Sequence, residues 1–144
     1  MVWLLVITLF LMNTGTAQVT ALSEKIDSFA IAPVSFDIEQ WDESQYWSPE
    51  NPSVLVIPRS GRYEVVIRPQ FHNNPNGQRF LYLFVNGKYA TLLEVRNAVG
   101  GTYNTLWVST DIREYQAGDL VEVRLMQNSG VPLGATATIT IGPE

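Results

Sequence analysis

GRYEVVIRPQF, residues 61–71, alternates with a period of two. Tyr63, Val65, Ile67 and Phe71 fall on one face, and Glu64, Val66, Arg68 and Gln70 on the other. Successive side chains of a strand point to opposite sides, so the stretch reads as a strand with one face in a core. The same rhythm recurs downstream. Val121, Val123 and Leu125 oppose Glu122 and Arg124, and Ala135, Ala137, Ile139 and Ile141 oppose Thr136, Thr138 and Thr140. In TYNTLWVST, Tyr103, Thr105 and Trp107 alternate with Asn104, Leu106 and Val108. Arg79–Val85 is apolar on both faces, which predicts a strand covered on two sides.

Between two apolar runs lies Asn86-Gly87, a pair that tolerates the positive φ a type I′ hairpin turn requires. Gly118 and Asp119 mark a second tight turn: the glycine takes the difficult φ and the carboxylate bonds the turn backbone. With APVSFDI and SVLVI added, about eight strands at this spacing predict one all-β antiparallel sandwich. Gly100-Gly101 reads as a strand connection, since no helix follows to make a phosphate cradle. Residues 1–30 read as an apolar leader plus connector, and 31–144 as the sandwich domain. Within the connector, Leu22, Ile26 and Phe29 are spaced for one short helix.

Composition narrows the function. The 144 residues have a formal charge of −5 and no run of clustered Lys or Arg, so nucleic-acid binding is not expected. The absence of cysteine rules out disulfides and thiolate chemistry. The one histidine, His72, stands among turn formers and reads as a surface residue without a partner for acid–base work. No cofactor and no catalytic residue is expected.

The acids are denser at residues 36–51, FDIEQWDESQYWSPEN. Trp41, Asp42, Tyr46 and Trp47 make a candidate ligand loop, because rings beside carboxylates can stack on sugars and hydrogen-bond them. Asp37, Glu39 and Asp42 are the acids a glycan-processing enzyme would use. The plain alternative is an acidic loop whose aromatics plug the end of the sandwich.

MVWLLVITLFLMNTGTAQ, residues 1–18, carries no charge. It is too short to span a bilayer as a helix and lacks the positive start of a signal peptide, although Ala17 offers a small-residue cut. A start at Met12 is a further reading. As a retained arm, Val2, Trp3, Leu4, Leu5, Val6, Ile7, Leu9 and Phe10 would be buried by a partner, for example at a sheet edge.

The order of the motifs resembles the C1q/TNF-like jelly-roll domains, in the versions found in structural proteins of tailed bacteriophages. The matching residues are Pro58, Gly61 and Tyr63, then Gly77 and Arg79, Asn86 and Gly87, Ala117, Gly118 and Asp119, and last Gln127, Ser129 and Gly130. The resemblance spans residues 31–142. It implies a non-enzymatic homotrimer whose axis is lined by apolar and aromatic side chains, a role that suits Tyr82, Phe84 and Trp107. No collagen-like stalk precedes the domain in this sequence. The resemblance therefore points to a virion component, a capsid decoration, head-fibre or tail accessory protein. Its partners would be copies of itself, a capsid or tail protein, and a host surface glycan or protein. The alternative is a secreted C1q-like module that binds carbohydrate or a cell surface.

Overall fold

The computed structural model describes residues 15–144, and every regular element in them is a strand. The first sheet contains β1 (Ala17–Ile26), β3 (Ile38–Asp42), β5 (Gly61–Phe71), β8 (Thr105–Leu106), β9 (Ser109–Tyr115) and β11 (Leu133–Pro143). Its order is β3-β1-β11-β5-β8, with β9 also paired to β5. The second contains β2 (Ala32–Pro33), β4 (Leu55–Val56), β6 (Gln78–Val85), β7 (Lys88–Asn97) and β10 (Leu120–Gln127). Its order is β2-β10-β6-β7, with β4 also paired to β10. Every pairing is antiparallel.

The alternating faces meet between the sheets. Tyr63, Val65, Ile67 and Phe71 are buried from one side, and Leu81, Leu83, Val121, Val123 and Leu125 from the other. Each such side chain contributes about 1.5–3 kcal/mol on leaving water. Ala135, Ala137, Ile139 and Ile141 complete the inner layer.

Two expectations are corrected. The connector forms no helix. Ala17, Val19 and Ala21 alternate into the core, and a bulge between Ala21 and Glu24 shifts the phase so that Ile26 also points inward. The bulge broke the period of two in the sequence and left a false helical spacing. β1 pairs with β11 on one side and β3 on the other. In β6, the second apolar face has no layer above it among the described residues. Phe80, Tyr82 and Phe84 point outward and cover one another, helped by Tyr89.

The Asn86-Gly87 turn joins β6 to β7 with both residues at positive φ, 55° and 76°. Asn86 Oδ1 accepts the Leu120 N–H and its Nδ2 donates to Asp119, so this turn is tied to the Gly118-Asp119 turn. Asp119 accepts the Gln116 N–H, a bond that holds its carboxyl below the usual range. The arm residues Val2–Phe10 lie outside the described residues.

Candidate functional site

The acidic loop folds as a plug. Both oxygens of Asp42 accept backbone N–H groups, from Tyr46 and Trp47, each at 2.9 Å. This fixes the loop and turns Tyr46 into the core, where its hydroxyl donates to the Gly15 carbonyl at 2.7 Å. Trp47 packs against the core and donates to the Pro52 carbonyl. Trp41 is the more exposed indole, and its Nε1 donates to Thr16. Tyr46, Tyr63 and Tyr115 then form an edge-to-face series. Burial drives the Tyr46 phenol well above the usual tyrosine range and pushes Tyr115 up to about 12. Of the candidate ligand loop, two rings and the carboxylate are thus committed to holding the fold.

Among the described residues the nearby acids and the histidine do not come together. Asp37 accepts the Leu22 N–H, and His72 is exposed in the β5–β6 loop. No three His, Asp or Glu side chains among the described residues converge where a metal could sit. A pocket of about 190 Å³ is lined by Arg59, Arg62 and Tyr63 at the same pole. Ligand sites usually occupy 300 Å³ or more, so it is too small for a typical small-molecule site.

The three residues expected at a trimer axis separate. Tyr82 and Phe84 lie on the outward face of the second sheet, with the Arg124 guanidinium over the Phe84 ring at 3.9 Å. Trp107 points inward, stacks on Phe71 and donates to Ser109 Oγ. At 6% exposure it has no surface to give a neighbouring subunit. The alternation of Thr105 and Trp107 against Leu106 and Val108 was readable, but not which set faces the core.

The outward face of the first sheet is the one unusual surface. Its centre is threonine: Thr20 and Thr138 hydroxyls bond each other at 2.9 Å, Gln40 donates to Thr20, and Thr140 donates to Gln18. On one side of this paired seam β5 presents Glu64, Val66, Arg68 and Gln70. Exposed Leu106, Val108 and Ile112 stand beyond it on β8–β9, and Ile38 and Trp41 stand on the β3 side. The sequence signal was the alternate threonines of ATATITI. Their pairing with a strand 118 positions earlier was not visible.

At the opposite pole two buried polar side chains hold the loops. Arg79 is 0% exposed and donates to the carbonyls of Asn74 and Asn76, both at 2.8 Å. Gln127 Nε2 donates to Ile26 and Val131 carbonyls, and its Oε1 accepts the Ser129 N–H. Gly77 stands so close to Asn128 that no Cβ fits. These are motif positions whose roles only the fold reveals.

Solved structures show the same arrangement. The globular domain of zebrafish complement 1qA protein superposes with a TM-score of 0.66 at 12% identity, covering 89% of this chain and 95% of that one. The fold is a C1q/TNF-like jelly roll. A second jelly roll, the Eiger TNF from S. frugiperda, gives 0.57 at 10% identity, over 92% of this chain and 93% of that one. No family model and no curated protein matches the sequence.

Proposed function

We infer that this jelly roll is a non-enzymatic, homotrimeric binding module. It works as a structural component of a tailed-phage virion, a capsid decoration, head-fibre or tail accessory protein. The phage assignment is supported by the order of turn motifs from Pro58 to Gly130. The segment Val2–Phe10 attaches it to a capsid or tail protein, and the domain stabilises the particle or faces the host.

The observation that carries self-association is the threonine seam. The Thr20, Thr138 and Thr140 hydroxyls are already paired, so a neighbour can cover them without orphaning these groups, and Glu64 and Arg68 of β5 on the same face offer it charged contacts. The apolar residues at its two sides differ, Leu106 and Val108 against Ile38 and Trp41. A contact between unlike patches is head-to-tail and closes into a ring when the rotation permits, and three copies make the smallest ring beyond a dimer.

The test is the mass of the purified full chain at micromolar concentration by light scattering. Three times the 16.1 kDa chain mass is expected, with Leu106→Glu running at the mass of one chain. A monomeric wild-type chain that also fails to attach to phage particles would reject the reading.

A further inference from the structure

We propose that Asn76 is a site of spontaneous modification, where the chain deamidates through a succinimide and gains a carboxylate with age. Asn-Gly occurs twice in the sequence, at Asn76-Gly77 and Asn86-Gly87. The reaction requires the glycine nitrogen to reach Cγ of the asparagine before it. Glycine leaves that approach open, because it has no side chain and its backbone turns readily. By sequence the two pairs are alike. The structure separates them.

The Asn86 side chain is engaged at both ends. Its Oδ1 accepts the Leu120 N–H at 2.9 Å, and its Nδ2 donates to Asp119 at 3.0 Å. Rotation of Cγ onto Gly87 would break both bonds. Asn76 is exposed, and among the described residues neither its side chain nor the Gly77 N–H makes a hydrogen bond. Nothing there opposes the rotation.

The Asn76 backbone, in contrast, is held. Its N–H donates to Asn74 Oδ1 at 2.9 Å, and its carbonyl accepts from Arg79 Nη1 at 2.8 Å. The attacking species is the Gly77 nitrogen after loss of its proton, and its charge is shared with the Asn76 carbonyl oxygen. That oxygen is the one the guanidinium holds. Arg79 is buried and bonds only backbone carbonyls, with its Cζ 5.8 Å from the centre of the Phe71 ring. No carboxylate pairs with it among the described residues. A fixed cation at the atom where negative charge develops stabilises that charge.

The step balances with water alone. Gly77 gives its proton to hydroxide, its nitrogen bonds Asn76 Cγ, and the Cγ–Nδ2 bond breaks to release ammonia. Water then opens the ring at one of its two carbonyls, leaving aspartate or isoaspartate at position 76. Either product adds a negative charge to the β5–β6 loop. Isoaspartate also lengthens the backbone within the stretch whose carbonyls hold Arg79. The reaction needs only the folded chain, so it is independent of assembly and attachment.

The test is incubation of the full chain at about pH 8 and 37 °C, folded or in urea, with tandem mass spectrometry following each asparagine. In the folded chain Asn76 is expected to convert about 10-fold faster than Asn86 or more, and the two rates to converge in urea. Folding should slow Asn86 and leave Asn76 at least as fast as in urea. Arg79→Met, which removes the guanidinium, should slow Asn76. Isoaspartate at 76, read with isoaspartyl methyltransferase, should accompany a lower melting temperature that aged Asn76→Gln does not show. Equal rates at Asn76 and Asn86 in the folded chain, or faster conversion of Asn76 in urea, would overturn the proposal. So would an unchanged Asn76 rate in a folded Arg79→Met protein. Where that variant does not fold, the folded-to-urea ratio at Asn76 decides.

Discussion

The side-chain amide of Gln127 donates to the Ile26 carbonyl at 2.9 Å, across 101 positions of sequence and from one sheet to the other. The amide is fully buried, and every polar atom it carries is bonded. A hydrogen bond in such a place matters chiefly because its loss strands the partners out of reach of water.

Gln127→Leu is therefore expected to cost about 3 kcal/mol, since it removes three hydrogen bonds, those to the Ile26 and Val131 carbonyls and the one from the Ser129 N–H. Urea unfolding checks this: the midpoint falls while the slope is unchanged. Wild-type stability would show that the loop pair satisfies itself without the amide.

Trp107 supplies the second expectation. Packed on Phe71 inside the sandwich, it supports the fold. Trp107→Ala should cost about 3–5 kcal/mol. Trp107→Phe, which keeps the stacking, should stay folded with the mass of the wild-type assembly by light scattering. A loss of assembly in a folded Trp107→Phe protein would return this residue to the subunit contact.

The tyrosine series sets the alkaline limit. Burial raises the Tyr46, Tyr63 and Tyr115 phenols above their ordinary value near 10 in the folded chain. Below pH 10 their contribution is fully present. As pH rises, the unfolded phenols ionise first and draw the equilibrium towards the unfolded chain, a loss that for Tyr115 runs until the folded value of about 12 is passed. Thermal melts between pH 8 and 11 should show stability falling only above about 10. The Tyr115 hydroxyl is buried with no hydrogen-bond partner among the described residues. Tyr115→Phe should then hold or raise stability at pH 8, by up to about 1 kcal/mol, and soften the alkaline fall. A destabilised Tyr115→Phe protein with an unchanged alkaline slope would refute this account.

Much of the fold was legible because a strand writes its burial into every second residue. The faces of β5, β10 and β11 and the Asn86-Gly87 turn follow from local pattern alone. β2, β4 and β8 fall inside APVSFDI, SVLVI and TYNTLWVST, but β3 escaped because its side chains are mostly exposed, and the bulge in β1 scrambled the period it had. The acidic loop allowed two readings, a sugar-binding site or a plug, because Trp, Tyr and Asp side by side suit both; the bonds that Asp42 accepts from Tyr46 and Trp47 show how the loop is held and leave Trp41 as the more exposed ring.

The sequence by itself determined that this protein is an antiparallel sandwich without disulfides. Hydrophobic period, turn chemistry and residue inventory are local properties, and they survive without coordinates. Tertiary structure alone decided that Trp107 is core, that Thr20 meets Thr138, and that Asn86 bonds Asp119. Each depends on which distant strands become neighbours. That choice is made by the packing of the whole chain, and no short stretch of it records the outcome.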